Sequence, residues 1–274
     1  MDKKRIKNIS MFILMSLLSV MFIIPFLWVI STSLKPESAV FSNQLIPESW
    51  QFDNYVKVFD KLPLLVYLKN SVVITAITII GTVLSSSIVA YSFGCLEWPG
   101  RNAIFIFIIA TMMLPLQVIM IPVFIMFKNL GWLNSIKPLT IPAFFGGGAF
   151  NIFLLRQFFM SIPKSLIDAA RIDGCSELKI YWSIVMPLAK PAVATVAILT
   201  FMFSWNDFLG PLIYLSEKAQ GTLALGIAQY AGQVNPEWSI LMAASVLMML
   251  PIIVLFFLFQ RYFIQAFTMS GIKE

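Results

Sequence analysis

The sequence predicts an all-α membrane protein with six transmembrane helices. Three observations lead there: a mean hydropathy of +0.87, only 12% charged residues against 59% hydrophobic, and six long apolar runs. A soluble domain carries about twice that share of charge, and a helix needs about 20 mostly apolar residues to cross the hydrocarbon core. The runs fall near 11–31, 67–93, 103–127, 139–157, 192–215 and 239–260, and together they make one transmembrane domain over 1–274.

The first run follows Lys3, Lys4, Arg5 and Lys7, as the apolar part of a secretory signal would. It is longer than such a region, and Ser31-Thr32-Ser33-Leu34 is a poor cleavage site, so it reads as a retained span. A long outer loop follows, about 32–66, with Pro36, Pro47, Trp50 and an amphipathic stretch from Tyr55 to Phe59 suited to the membrane interface. In the second run Ser85, Ser86, Ser87, Ala90 and Gly94 permit close helix packing. The third contains Gln117 between Pro115 and Pro122, prolines expected to kink it. The fourth is the least helix-like, with Pro142 and the run Gly146 to Gly148. It is kept as a span because an apolar stretch outside a helix would strand its backbone groups in lipid.

The fifth run holds Asn206 and Asp207. An acid in the middle of a span costs about 2.5–3.5 kcal/mol. Asp207 therefore lines a water-filled path, bonds to a neighbouring helix, or lies nearer the outer surface. Asn206, Asp207 and Gln117 are the pathway candidates. Trp98, Trp132 and Trp238 stand near span ends, where aromatic belts explain them better than sugar stacking does.

Six spans put both termini on one side. With cytoplasmic termini, that side holds Lys3, Lys4, Arg5, Lys7, Arg101, Arg156, Lys164, Arg171, Lys179, Lys190, Arg261 and Lys273. The other side keeps Lys35, Lys57, Lys61, Lys69, Lys128, Lys137 and Lys218. The positive-inside rule then makes both termini cytoplasmic. It also accounts for the net charge of +6 as topology control, with no call for nucleic acid. Cys95 and Cys175 then face a reducing compartment, have no metal-type spacing and need not pair.

Several function classes lose their chemistry. Histidine is absent, which removes the commonest general base and metal ligand. A solitary intramembrane acid is too little for an ion-coupled transporter, which needs several acids or broken-helix repeats. The same poverty argues against a membrane-embedded enzyme. The Gly146 to Gly148 run lacks a following Lys-Ser/Thr, so no phosphate-binding loop of the Walker type is present.

The inner loop, about 158–191, is the most informative stretch. After Pro163, Ser165-Leu166-Ile167-Asp168 has the form of a capping box, predicting a helix from Ser165 to a left-handed stop at Gly174. A second helix, capped by Ser176, is predicted to carry Leu178, Tyr181, Trp182 and Val185 on one face and to end at Pro187. Such a pair is either a plain connector or a docking surface, with Ala169 and Ala170 allowing close approach and Asp168, Arg171 and Asp173 supplying charge.

At these residues the chain resembles a known family. Asp168-Ala169-Ala170-Arg171-Ile172-Asp173-Gly174, followed by Ile184 and Met186-Pro187, is similar to the EAA loop of permease subunits in ABC importers. Asp168 stands where Glu is usual and Met186 where Leu is. The runs Phe203 to Leu212 and Gln260 to Thr268 are similar to the MalG-like carbohydrate-uptake branch. The resemblance implies a type I importer permease fold in a bacterial cytoplasmic membrane. It implies that Leu166, Asp168, Ala169, Ala170, Arg171, Asp173, Gly174, Ile184 and Pro187 couple the chain to an ATPase, which the tail after Arg261 also approaches. It further implies the partners: a second permease subunit, two copies of a cytoplasmic ATPase that hold the ATP and Mg, and an external solute-binding protein delivering a sugar. No cofactor of this chain's own is expected.

Overall fold

The computed structural model describes residues 3–217 and 220–271, with side chains from 7 to 217 and from 220 to 260. Lys218, Lys273 and the side chains of the tail beyond Gln260 lie outside the described residues. Among the described residues every regular element is helical.

In chain order these are α1 (Lys3–Ser33), α2 (Asp53–Lys61), α3 (Leu64–Cys95), α4 (Arg101–Ala110), α5 (Leu116–Asn129), α6 (Lys137–Thr140) and α7 (Ala149–Met160). Then follow α8 (Lys164–Ile172), α9 (Glu177–Ile180), α10 (Met186–Leu188), α11 (Lys190–Asn206), α12 (Leu209–Tyr214), α13 (Leu223–Ala231) and α14 (Trp238–Gly271).

Among the described residues four stretches are long and apolar enough to cross a membrane: Lys7–Ser33, Leu64–Cys95, Lys137–Met160 and Trp238–Gln260. Two further pairs pass only together, so the number of spans is six if each bent pair is one span. The expected third span is one of these. It breaks by 100° between Met113 and Leu116, a larger departure than the expected kink. Pro115 is extended (φ −66°, ψ 140°) and forces Leu114 before it to ψ 115°, while Pro122 stays inside α5. The expected fifth span also stops early. The helix ends at Asn206 because Asp207 is extended (ψ 116°), and α12 resumes two residues on. The fourth is interrupted where Gly146, Gly147 and Gly148 all take positive φ. A Cβ on Gly147 would lie 2.7 Å from the Thr82 carbonyl oxygen, so glycine there lets α3 come close.

Backbone contacts group the chain into two compact units, one of residues 1–64 and 226–251, the other of 65–225 and 252–274. In the first, the last turn of α1 is enclosed by the loop after it, with Ser31 to Lys35 all buried. The buried Asn54 amide donates to the carbonyls of Ser33 and Lys35, both at 2.9 Å, and Ser33 Oγ meets the Tyr55 hydroxyl at 2.8 Å. Lys35, 1% exposed, places its ammonium 4.8 Å over the Trp28 ring. Glu37 accepts from the Trp238 and Ser239 amides at 2.8 and 2.9 Å and from Ser239 Oγ at 2.7 Å, capping the N-terminus of α14. Lys61 pairs with Glu237 at 2.6 Å.

The second unit has a core in which Ala90 and Tyr91 of α3, Phe105 of α4, Leu155 and Phe159 of α7, and Val196 of α11 pack with Ile167, Ala170, Ile180 and Val185 of the loop over 158–191. The small residues work as expected. Ser86, Ser87 and Ala90 are fully buried, and Ser85 Oγ donates to the Ala143 carbonyl at 2.7 Å. A Cβ on Gly94 would stand 3.2 Å from that of Phe159.

Candidate coupling site

The loop over 158–191 is a pair of short helices held from three directions. α8 begins at Lys164, one residue earlier than expected, with extended Pro163 as its N-cap and no side-chain cap bond. The expected capping box is therefore not formed. Ser165 lies inside the first turn, and Asp168 turns forward to Arg171 instead of back. The stop is as expected. The Cys175 amide donates to the Ala170 carbonyl (2.9 Å) and the Gly174 amide to that of Arg171 (3.0 Å), with Gly174 at φ +77°. This double closure is a Schellman motif.

Across that turn Arg171 joins the two helices. Its guanidinium donates to Asp168 Oδ1 at 3.0 Å and to Glu177 Oε1 at 2.7 Å. The Glu177 hydrogen bond, and then the Asp168 bond, raise the guanidinium's already high pKa, so Arg171 stays charged. Tyr91 of α3 donates to the other Glu177 oxygen at 2.5 Å. Ser176 Oγ caps α9 by accepting from the Lys179 amide at 3.4 Å.

The second helix does not keep one apolar face. Tyr181 to Val185 form a π-helical turn between α9 and α10, and the wider turn shifts the register. Tyr181 and Val185 face the core, the Tyr181 hydroxyl meeting Ser87 Oγ at 2.7 Å, while Leu178 and Trp182 are exposed. Helical structure runs past Pro187 to Leu188, and a 79° bend at Ala189 leads into α11. Pro187 is exposed, and Ile184 packs partly against the core.

Ala169 and Ala170, expected to share a face, are divided. Ala170 is buried with Ile167 in the chain's own core, so it cannot meet a partner. Ala169 is exposed between Leu166 and Ile172, the latter 86% exposed. Ile172 was missed by sequence reasoning, although steps of three residues join Leu166 to Ala169 and Ala169 to Ile172 as neighbours along the helix surface. Asp173 and Gly174 are exposed at the helix end. Beside this face lies a cleft of about 630 Å3, bordered by Cys95, Glu97, Arg101, Lys164, Asp168 and Arg171 among others. On its rim Lys164 pairs with Glu97 at 3.1 Å, and this bond holds the Glu97 carboxyl below the usual glutamate range.

The pathway candidates are not brought together as a set. Asp207 Oδ1 accepts the Gly210 amide at 3.0 Å, closing the turn into α12. Asp207 also borders a cavity of about 40 Å3 whose other polar lining is Ser71, Thr78, Ser204 and Thr222. Asn206 is exposed and donates to the Met202 carbonyl at 2.8 Å. Gln117 is exposed on the first turn of α5 and does not border that cavity.

Residues 87–269, which include the whole loop, match the family described as binding-protein-dependent transport system inner membrane component. The chain belongs to this family. It is therefore a transport permease component and an integral inner-membrane protein. Among its relatives is an arabinooligosaccharides transport system permease protein, AraQ, of Halalkalibacterium halodurans, 34% identical over 92% of this chain and 91% of that one. Another is the trehalose/maltose transport system permease protein MalG of Thermococcus litoralis, 31% identical over 100% and 99%. A crystal structure of a bacterial ABC transporter involved in import of the acidic polysaccharide alginate contains a chain that is 26% identical. It superimposes with a TM-score of 0.85 over 96% of this chain and 99% of that one. The expected type I importer permease fold is thus observed.

Proposed function

We propose that this chain forms half of the transmembrane pathway of an ATP-driven importer for a sugar or oligosaccharide, and that α8 is the helix through which a separate cytoplasmic ATPase moves it. The observation that carries the coupling role is the exposed apolar face of Leu166, Ala169 and Ile172 on a helix fixed by the Schellman turn, the Arg171–Glu177 bond and Tyr91. A connector needs neither a rigid frame nor apolar side chains turned to water. The sugar reading is supported by the relatives, named for arabinooligosaccharides and trehalose/maltose.

The nucleotide chemistry belongs to the partner, for Gly146 to Gly148 leads into Ala149 and not Lys-Ser/Thr. The complete assembly has a second permease subunit, two ATPase copies holding ATP and Mg, and an external binding protein. ATP-driven closure of the ATPase pair pushes on α8 and rocks the paired bundles between inward and outward access. Both termini and the loop then face the cytoplasm. An impermeant maleimide added to intact cells should leave Cys95 and Cys175 unlabelled until the membrane is opened, and labelling of either from outside would reverse this orientation.

The test of coupling uses Ala169→Trp and Asp168→Lys in the reconstituted complex. Both positions are exposed, so insertion and folding should survive. Overpacking of the docked face costs about 1–3 kcal/mol, and the reversed charge also leaves Arg171 facing Lys. ATPase copurification and substrate-stimulated ATP hydrolysis should both fall. If both variants match wild type, the loop is only a connector.

A further inference from the structure

We infer that residues 50–61 form a bilayer-surface anchor, with Trp50, Phe52, Val56 and Phe59 embedded at the boundary between headgroups and acyl chains where α1 leaves the membrane. The inference depends on α1 being a span and not on the importer reading.

Helix α2 has three faces. At 100° per residue, Asn54 and Val58 share one direction, and both are buried. Asp53, Lys57 and Asp60 share a second, exposed and charged. Phe52, Val56 and Phe59, spaced by four and three, share the third, and all are exposed, Val56 by 64%. Trp50 extends this last face by stacking on Phe52, with ring centroids 6.1 Å apart and planes 13° apart. Such an apolar stripe with aromatic rings, beside a charged stripe, is the pattern of a helix lying in the interface plane.

The position of α2 selects the occupant. α1 spans 27 residues from Lys7 to Ser33, about 40 Å at 1.5 Å per residue. That exceeds a hydrocarbon core of about 30 Å and carries Ser33 to headgroup level. Asn54 in the first turn of α2 bonds to the carbonyls of Ser33 and Lys35, and Tyr55 to Ser33 Oγ. The helix is thus tied to the backbone at the point where the span ends, beside lipid and not far out in water. Its charges, Asp53 and Asp60 against Lys57 and Lys61, cancel, so burial of apolar surface and not attraction to anionic lipid provides the hold. At its far end the Lys61–Glu237 pair links the anchor to the start of α14.

The experiment places a nitroxide at Val56→Cys, Phe59→Cys, Lys57→Cys or Asp60→Cys in turn, with Cys95 and Cys175 replaced by Ser. The full-length chain, in the complex with which it purifies, is reconstituted in phosphatidylcholine bilayers. Collision with oxygen, which concentrates in lipid, is compared with collision with a water-soluble nickel chelate. Oxygen should dominate several-fold at 56 and 59 and the nickel chelate at 57 and 60. Dominance of nickel at 56 and 59 would put the face in open water and overturn the anchor. Low collision with both reagents at 56 and 59 would mean that another protein covers it, which overturns the anchor equally. All four side chains are exposed, so no variant disturbs the packing of α2.

Discussion

The Tyr91 hydroxyl, near the end of α3, donates to Oε2 of Glu177 at the head of α9, 2.5 Å away. A membrane span and the loop over 158–191 are thereby joined through one carboxylate, whose other oxygen is held by Arg171. Tyr91→Phe keeps the ring packed edge-on to Tyr181 and removes only the bond, worth about 2 kcal/mol for a charged acceptor. The variant should insert normally and retain its ATPase while stimulated hydrolysis drops. Normal stimulation would show that Arg171 alone positions Glu177.

Glu97 and Lys164 give a pH prediction. Lys164 hydrogen-bonds Glu97 and lowers its pKa. A depressed carboxylate contributes stability that is present above its unfolded value, about 4.3, and is lost as pH falls through the lower folded value. Both groups are exposed, so the contribution is small and screened by salt. Carboxyl-carbon NMR of labelled glutamates should find Glu97 titrating below that ordinary value, and Lys164→Ala should raise it toward that value, with Arg101 still lowering it. No change on that substitution would mean that the pair does not persist in solution.

Two glycines separate conformational strain from crowding. Gly174 has φ +77° and open space around a would-be Cβ, so Gly174→Ala should cost about 1–2 kcal/mol, and the helix end should remain. At Gly147 the Cβ would meet the Thr82 carbonyl oxygen at 2.7 Å and its Cα at 2.9 Å, in addition to φ +62°. Gly147→Ala should therefore lower the thermal midpoint of the purified chain much more than Gly174→Ala does, and equal midpoints would contradict the close approach.

Asp207 closes the turn into α12 through the Gly210 amide. Asp207→Asn keeps an acceptor for that amide, whereas Asp207→Leu does not. If bracing is the role, uptake should fall with Leu and survive with Asn. Loss of uptake with Asn, at undiminished assembly, would point instead to a need for charge on the route.

The four long apolar helices were legible because apolar runs of about 20 residues have few other solutions. The stop at Gly174 and the start at Ser176 were also legible, since both act through bonds to neighbouring backbone. Ser165 misled because Pro163 already supplied the extended N-cap, leaving the hydroxyl inside the turn. The split of Leu178 and Trp182 from Tyr181 and Val185 depends on a π turn, which regular periodicity does not encode. Ala170 and Ala169 are chemically alike, and it is packing in the core that decides which one faces inward. The 100° break at Pro115 was read as a kink because proline is found in both.

Glu37 and Ser239, bonded through the cap on α14, lie 202 positions apart in the chain. During synthesis the loop that follows α1 is finished long before its partner exists, so Glu37 and Lys61 wait until Glu237 and the start of α14 have been made. Contacts of such sequence separation form late, because most of the loop-closure entropy must be overcome first. Closure of this seam is therefore a late step of folding. A chain stalled or cut before Glu237 would hold its earlier spans in the bilayer with Glu37 and Lys61 still lacking their partners Ser239 and Glu237.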